Sequence, residues 1–162
     1  MPCSVVSHYN LLWQVALRHY LHVLIEAGAA WGEEREADLY VPTAAVLATF
    51  SADEIANYET PRAIDMFGVQ KVESVHKARL VSVNDVFALH FGQGPEFVSI
   101  DTEGMDFPIL KTIDFESFRL PIICIETNGG HLNDEEALVT EYMQHRGYRV
   151  FASTGLNTIY TR

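Results

Sequence analysis

Residues 97–104 read FVSIDTEG, and residues 122–129 repeat the same kind of pattern as IICIETNG. Each is a short apolar run that ends in a carboxylate and is then followed by glycine. A run that is apolar on both faces predicts a strand covered on both sides, as in a parallel α/β sheet. Ligands of open α/β sheets bind beyond the carboxyl ends of such strands. We therefore expect Asp101, Glu103 and Glu126 to converge on one edge of a sheet, beside a pocket.

The composition predicts a single domain spanning residues 1–162, because 48% hydrophobic residues are enough to bury one core. Acidic residues outnumber basic ones 22 to 11, and the net charge is -11. This balance disfavours nucleic acid as a partner, since phosphate binding depends on clustered Lys and Arg. The start of the chain lacks the pattern of a signal peptide, and no run approaches the ~20 apolar residues that cross a bilayer. We expect a cytoplasmic protein that binds neither nucleic acid nor membrane.

Apolar spacing, capping residues and turn residues predict the order of local elements along the chain. The predicted helices lie at residues 9–20, 51–58, 82–90 and 107–112, with another that begins near residue 133. The predicted extended segments lie at residues 21–25, 36–41 and 77–81, and a hairpin is predicted from residues 148–153 and 158–162. Residues 60–70 show the weakest pattern and are predicted to form a loop.

Several short motifs in a fixed order resemble one family, the FkbM-type S-adenosylmethionine-dependent methyltransferases. The resemblance covers residues 21–162 and is strongest at the block SIDTEG with the second acidic strand behind it. The motifs are AGA (27–29), EADLYVP (36–42), TFS (49–51), EFVSIDTEG (96–104), IICIE (122–126), HRGY (145–148) and TGLN (154–157).

The resemblance implies an α/β fold, namely a truncated Rossmann-like class I methyltransferase sheet that is mostly parallel and ends in an antiparallel hairpin. It implies methyl transfer from S-adenosylmethionine to the oxygen of a small hydroxyl substrate, such as a sugar. Glu26, Ala27 and Gly28 correspond to the place where the family's third strand ends beside the adenine of the cofactor. Asp101, Glu103 and Glu126 are the candidates for catalysis.

One departure from the family pattern concerns the cofactor. Such enzymes begin with a strand that runs into a glycine-rich turn, whereas residues 1–20 contain no glycine and no acid. The sequence therefore predicts an N-terminally incomplete domain that lacks the first two strands and binds S-adenosylmethionine weakly on its own. It also predicts that the strand at residues 97–100 loses its neighbours and pairs either with residues 21–25 or with a second copy of the chain.

The three acidic residues allow more than one interpretation. Asp101 and Glu103 could orient a substrate hydroxyl, act as a general base or bind a divalent cation, and we assign no metal. In a purely structural role, Asp101 would cap the following helix and Glu103 would be solvated, while Glu126 would accept loop amides. The alternatives for the whole chain are a non-enzymatic interaction module, half of a split enzyme, or a metal-dependent enzyme.

Overall fold

The computed structural model of the protein describes residues 36–127 and 135–162. These residues form, in order, β1 (Glu36–Pro42), α1 (Ala52–Asn57), α2 (Pro61–Phe67), β2 (Val72–Arg79), α3 (Val83–His90), β3 (Phe97–Ile100), α4 (Asp106–Thr112), β4 (Ile122–Glu126), α5 (Glu135–Gln144), β5 (Arg149–Ser153) and β6 (Asn157–Thr161). Within the described ranges, the helices are all too short or too polar to span a membrane. The helix predicted at residues 9–20 and the strand predicted at residues 21–25 lie outside the described residues.

The main sheet has four strands in the order β3-β4-β6-β5. β3 and β4 are parallel, with Phe97 opposite Ile122 and Ile100 opposite Ile125. β6 is antiparallel both to β4 and to β5, so the chain ends in the antiparallel pair that the sequence predicted. The prediction of a mostly parallel sheet is confirmed only in part for the described residues: β3 and β4 are parallel, whereas the other two pairings in this sheet are antiparallel. The fold is therefore α/β with a mixed sheet.

One face of this sheet forms the core of the molecule. Its inward side chains are Val98, Ile100, Ile123, Ile125 and Tyr160, which pack in one buried cluster with residues of α3, α4 and α5. The buried helical members of that cluster are Val83, Phe87, Ile109, Leu110, Val139 and Met143. Burial of this apolar surface, at about 25 cal/mol per Å², is the main force that holds the helices on the sheet.

The opposite face of β3 is open. Phe97 is 55% exposed and Ser99 is exposed, whereas Val98 and Ile100 between them are buried. The prediction that this strand is buried on both faces is therefore wrong in the part of the chain that the structure describes. An apolar run shows which side chains can be buried, but it does not specify what covers them.

A second sheet consists of β1 and β2, which pair antiparallel along their length. An isolated bridge between Tyr40 and Thr49 extends β1 toward the segment that leads into α1. The exposed ion pair between Lys77 and Asp38, at 2.8 Å, contributes little to stability.

Residues 60–70, predicted as a loop, contain the helix α2 instead. The side chain of Thr60 accepts a hydrogen bond from the main-chain N–H of Ala63, and Pro61 lies in the first turn, where proline needs no hydrogen-bond donor. The loop prediction was wrong because it relied on apolar periodicity and overlooked this capping pair.

Candidate active site

Three carboxylates meet at the carboxyl ends of β3 and β4. Asp101 directly follows β3, Glu103 lies in the loop after it, and Glu126 is the last residue of the neighbouring parallel strand β4. One carboxylate oxygen from each residue lies within 4.8 Å of the other two. The structure thus brings together the three residues that the sequence selected, and we call this set the acidic rim. The pocket predicted beside it stays a prediction.

Asp106, which the sequence analysis did not select, organises the loop that carries two of these carboxylates. Its side chain is 2% exposed, and its two oxygens accept hydrogen bonds from the main-chain N–H groups of Thr102 (3.0 Å) and Gly104 (3.3 Å). Burial raises the pKa of Asp106 to about 6, the charge of Asp101 adds to this effect, and the two amide hydrogen bonds oppose it. The sequence signal that could have identified Asp106 is an acidic residue in the first turn of a helix, shortly after Gly104.

The structural role considered for Asp101 is wrong. Met105 is the residue that precedes α4, and the helix has no side-chain hydrogen bond at its N-cap. Asp106 accepts the loop amides instead, while the Asp101 side chain is exposed at the rim. Asp101 therefore has its charge available for a ligand.

Tyr58, at the C-terminal end of α1, contacts the acidic rim through its hydroxyl. Its side chain is 3% exposed, and its hydroxyl lies 3.3 Å from Oε2 of Glu103. Burial raises the pKa of Tyr58 above its ordinary value of 10, and the negative charges of Glu103, Glu54 and Glu126 raise it further. Tyr58 is therefore a neutral hydrogen-bond donor at any physiological pH.

Glu54 adds a fourth carboxylate near the rim and is only 6% exposed. Its Oε2 accepts a hydrogen bond of 3.1 Å from the side-chain amide of Asn57. A Cβ atom at Gly104 would lie 3.2 Å from that same oxygen, so the absence of a side chain at Gly104 lets the loop approach Glu54 closely. The cap at Ser51 was readable from the sequence, but the burial of Glu54 was not.

The chemistry of this arrangement follows from its charge. Carboxylate oxygens accept hydrogen bonds from hydroxyl or ammonium groups and can take the proton of a hydroxyl whose oxygen acts as a nucleophile. Oxygen ligands at this spacing also suit a divalent cation, and we assign none. Glu26, Ala27 and Gly28, the residues expected beside a cofactor, lie outside the described residues, so the structure does not test their role.

The chain matches a known protein family. The model of the family described as "Methyltransferase FkbM domain" matches residues 10–150, a span that contains the whole acidic rim. Neither the curated proteins nor the solved structures contain a match to the chain.

Proposed function

The chain belongs to the FkbM methyltransferase family, and from this premise we propose that it transfers a methyl group from S-adenosylmethionine to a hydroxyl oxygen at the acidic rim. The observation that carries the proposal is the convergence of Asp101, Glu103 and Glu126 at the carboxyl ends of two parallel strands. This is the edge of an α/β sheet at which ligands bind.

The residues present fit the charge of this cofactor. S-adenosylmethionine carries a sulfonium and an ammonium group as well as one carboxylate, so that its net charge is positive. The three carboxylates of the rim can accept hydrogen bonds from the ammonium group and offset the charge of the sulfonium. The cofactor, when bound, would supply an electrophilic methyl group: the new O–CH3 bond forms as the S–CH3 bond breaks, and the electron pair stays on the sulfur of the departing thioether. We propose that Glu26, Ala27 and Gly28 lie at its adenine end and that the carboxylates of the rim lie at its charged end.

The side chains of the rim would perform two tasks. Asp101 or Glu103 would take the proton of the acceptor hydroxyl, which makes the oxygen a better nucleophile. The other carboxylates would accept hydrogen bonds from neighbouring hydroxyls and so hold the acceptor in one orientation. A rim of this charge repels anions, and we therefore propose a neutral hydroxyl compound, such as a sugar, as the substrate.

The test is a methyl-transfer assay on the full chain with labelled S-adenosylmethionine and a panel of neutral sugars and polyols. We expect D101N, E103Q and E126Q each to lower the rate, by roughly 100-fold or more for the one of D101N and E103Q that removes the proton acceptor and by a smaller factor where only an orienting carboxylate is lost. The matched control is E116Q, which neutralises an exposed carboxylate in a groove near the start of β4. Equal activity of the rim variants and the control would refute the proposed site.

Calorimetric titration separates this function from its alternatives. Binding of S-adenosylmethionine supports the methyltransferase. Binding of Mg²⁺ alone would support the metal-dependent enzyme. The second candidate is an interaction module or half of a split enzyme, favoured by the exposed Phe97 on β3. Such a chain would bind neither S-adenosylmethionine nor Mg²⁺ by itself, and binding would be detected only after a partner protein is added.

A further inference from the structure

Glu103 has an unusual main-chain conformation for a residue with a side chain. Its φ angle is 50°, which lies in the left-handed region. Among the described residues, the other positive φ angles belong to glycines. This conformation costs roughly 1–2 kcal/mol for an L-residue and persists only where neighbouring groups hold it. The contacts that hold Glu103 therefore decide where its carboxylate points.

Thr49 holds the main chain of Glu103. The Thr49 hydroxyl donates a hydrogen bond of 2.7 Å to the Glu103 carbonyl oxygen and accepts one of 2.9 Å from the main-chain N–H of Ser51. Two main-chain hydrogen bonds with Tyr40 fix Thr49 itself, and its side chain is 1% exposed. The hydroxyl of Thr49 is thus oriented at both its donor and its acceptor side.

Tyr58 holds the side chain of Glu103. Its hydroxyl lies 3.2 Å from the carbonyl oxygen of Leu47 and 3.3 Å from Oε2 of Glu103. A phenol has one hydrogen to donate, so the two acceptors share it. Because Tyr58 stays protonated, its hydroxyl can donate to the Glu103 carboxylate, and a hydrogen bond of this kind favours the charged form of the acceptor.

We infer that Thr49 and Tyr58 are positioning residues for the acidic rim, which hold the strained Glu103 so that its carboxylate lies beside those of Asp101 and Glu126. Both belong to the segment of residues 47–58, which β1 anchors through Thr49. This segment therefore joins the two-stranded sheet to the candidate active site. That Thr49 and Tyr58 position Glu103 rests on the contacts of Glu103. That this positioning matters for catalysis rests on the proposed function.

The decisive variant is Y58F, and the chain offers a matched control in Y148F. Tyr148 is also 3% exposed and also donates its hydroxyl to a main-chain carbonyl oxygen, that of Leu120, which precedes β4 and so lies away from the rim. Both substitutions remove one hydroxyl from a buried tyrosine, and both cost stability. Only Y58F removes a hydrogen bond to Glu103.

The first measurement is the titration of the Glu103 carboxyl carbon by NMR in the full chain. We expect its midpoint to rise by about 1 pH unit in Y58F, because the hydrogen bond that favours the charged form is lost, and to be unchanged in Y148F. An equal midpoint in Y58F and the wild type would overturn the inference. This result does not depend on whether the protein transfers methyl groups.

The second measurement applies the methyl-transfer assay to the same variants and to a pair at Thr49. We expect kcat to fall about 10-fold in Y58F and in T49V, with little change in KM, and T49S to restore it because serine keeps the hydroxyl. Wild-type kcat in Y58F and T49V would refute the positioning role. If the wild type transfers no methyl group, the proposed function fails, and the NMR titration alone decides the inference.

Discussion

The buried carboxylate of Asp106 accepts a hydrogen bond of 3.0 Å from the main-chain N–H of Thr102, four residues earlier in the loop that joins β3 to α4. A second bond, from the N–H of Gly104, brings the same loop back onto Asp106. The loop that carries Asp101 and Glu103 is thus held by a third acidic residue, Asp106, whose own side chain is buried. Its protonation state links the stability of the protein to pH.

We predict that the free energy of unfolding falls as the pH rises from about 4 to about 6. Burial raises the pKa of Asp106 from 3.8 to about 6, so the folded protein holds this proton more tightly than the unfolded chain does. The resulting stabilisation is complete below the unfolded value and is lost as the pH passes the folded one. The shift corresponds to roughly 3 kcal/mol.

Urea unfolding of the wild type and of D106N across this pH range checks the prediction. Asparagine cannot ionise, so we expect the decrease between pH 4 and pH 7 to be smaller in D106N. The variant should also be less stable at low pH, because its amide group cannot accept both loop hydrogen bonds. An identical pH dependence in the two proteins would show that Asp106 is not the group responsible.

Asp101 should be dispensable for folding. It is exposed, and its charge lies close to those of Glu103 and Glu126, which it repels. We expect D101N to leave the free energy of unfolding unchanged or to raise it by up to about 1 kcal/mol, with a smaller effect at high salt. Thermal unfolding at two ionic strengths measures this, with E116Q as the control. A clear loss of stability would favour a structural role for Asp101.

Gly94 should tolerate substitution less well than Gly92, although both have a positive φ angle. A Cβ atom at Gly94 would lie 2.8 Å from the carbonyl oxygen of Arg119, whereas one at Gly92 would meet nothing within 4 Å. We expect G92A to cost about 1 kcal/mol, from the backbone conformation alone, and G94A to cost at least about 2 kcal/mol more. Chemical denaturation of the two variants checks this prediction. An equal loss in the free energy of unfolding would mean that the turn at Gly94 can shift away from the Arg119 carbonyl oxygen at no cost.

The free side of β3 should be paired in solution. Among the described residues, β3 has β4 as its neighbour on one side, and alternate amides of Phe97–Ile100 point away from it. We expect slow hydrogen exchange at all of these amides, because residues 21–25 or a second copy of the chain supply the missing partner. Protection that is independent of protein concentration indicates residues 21–25. Rapid exchange at the outward amides would contradict both outcomes.

The sequence predicted the parts of the fold that local patterns encode. The apolar runs gave β3 and β4, and the capping residues Ser51 and Ser82 gave the starts of α1 and α3. The general rule for the carboxyl ends of parallel strands then placed Asp101 and Glu126 at one edge. A cytoplasmic location and the absence of nucleic-acid binding stay predictions.

The contacts that surround the rim were beyond such patterns. Thr49 and Glu103 are 54 residues apart in the chain, and no periodicity or motif links them. Tyr58 reads as an ordinary apolar residue at the end of a short helix, and only the packing of this helix turns its hydroxyl toward Glu103. The position of β6 between β4 and β5, which makes the sheet mixed, is likewise a property of the assembled sheet.

The left-handed backbone conformation of Glu103 lowers the stability of the fold, whereas its side chain supplies one of the carboxylates of the rim. Glycine would adopt this conformation without the steric cost and asparagine with less of it, yet either would delete a carboxylate from the rim. Selection for heat resistance alone should therefore replace Glu103 early. If the proposed chemistry were lost, nothing in this conformation would oppose a glycine at position 103.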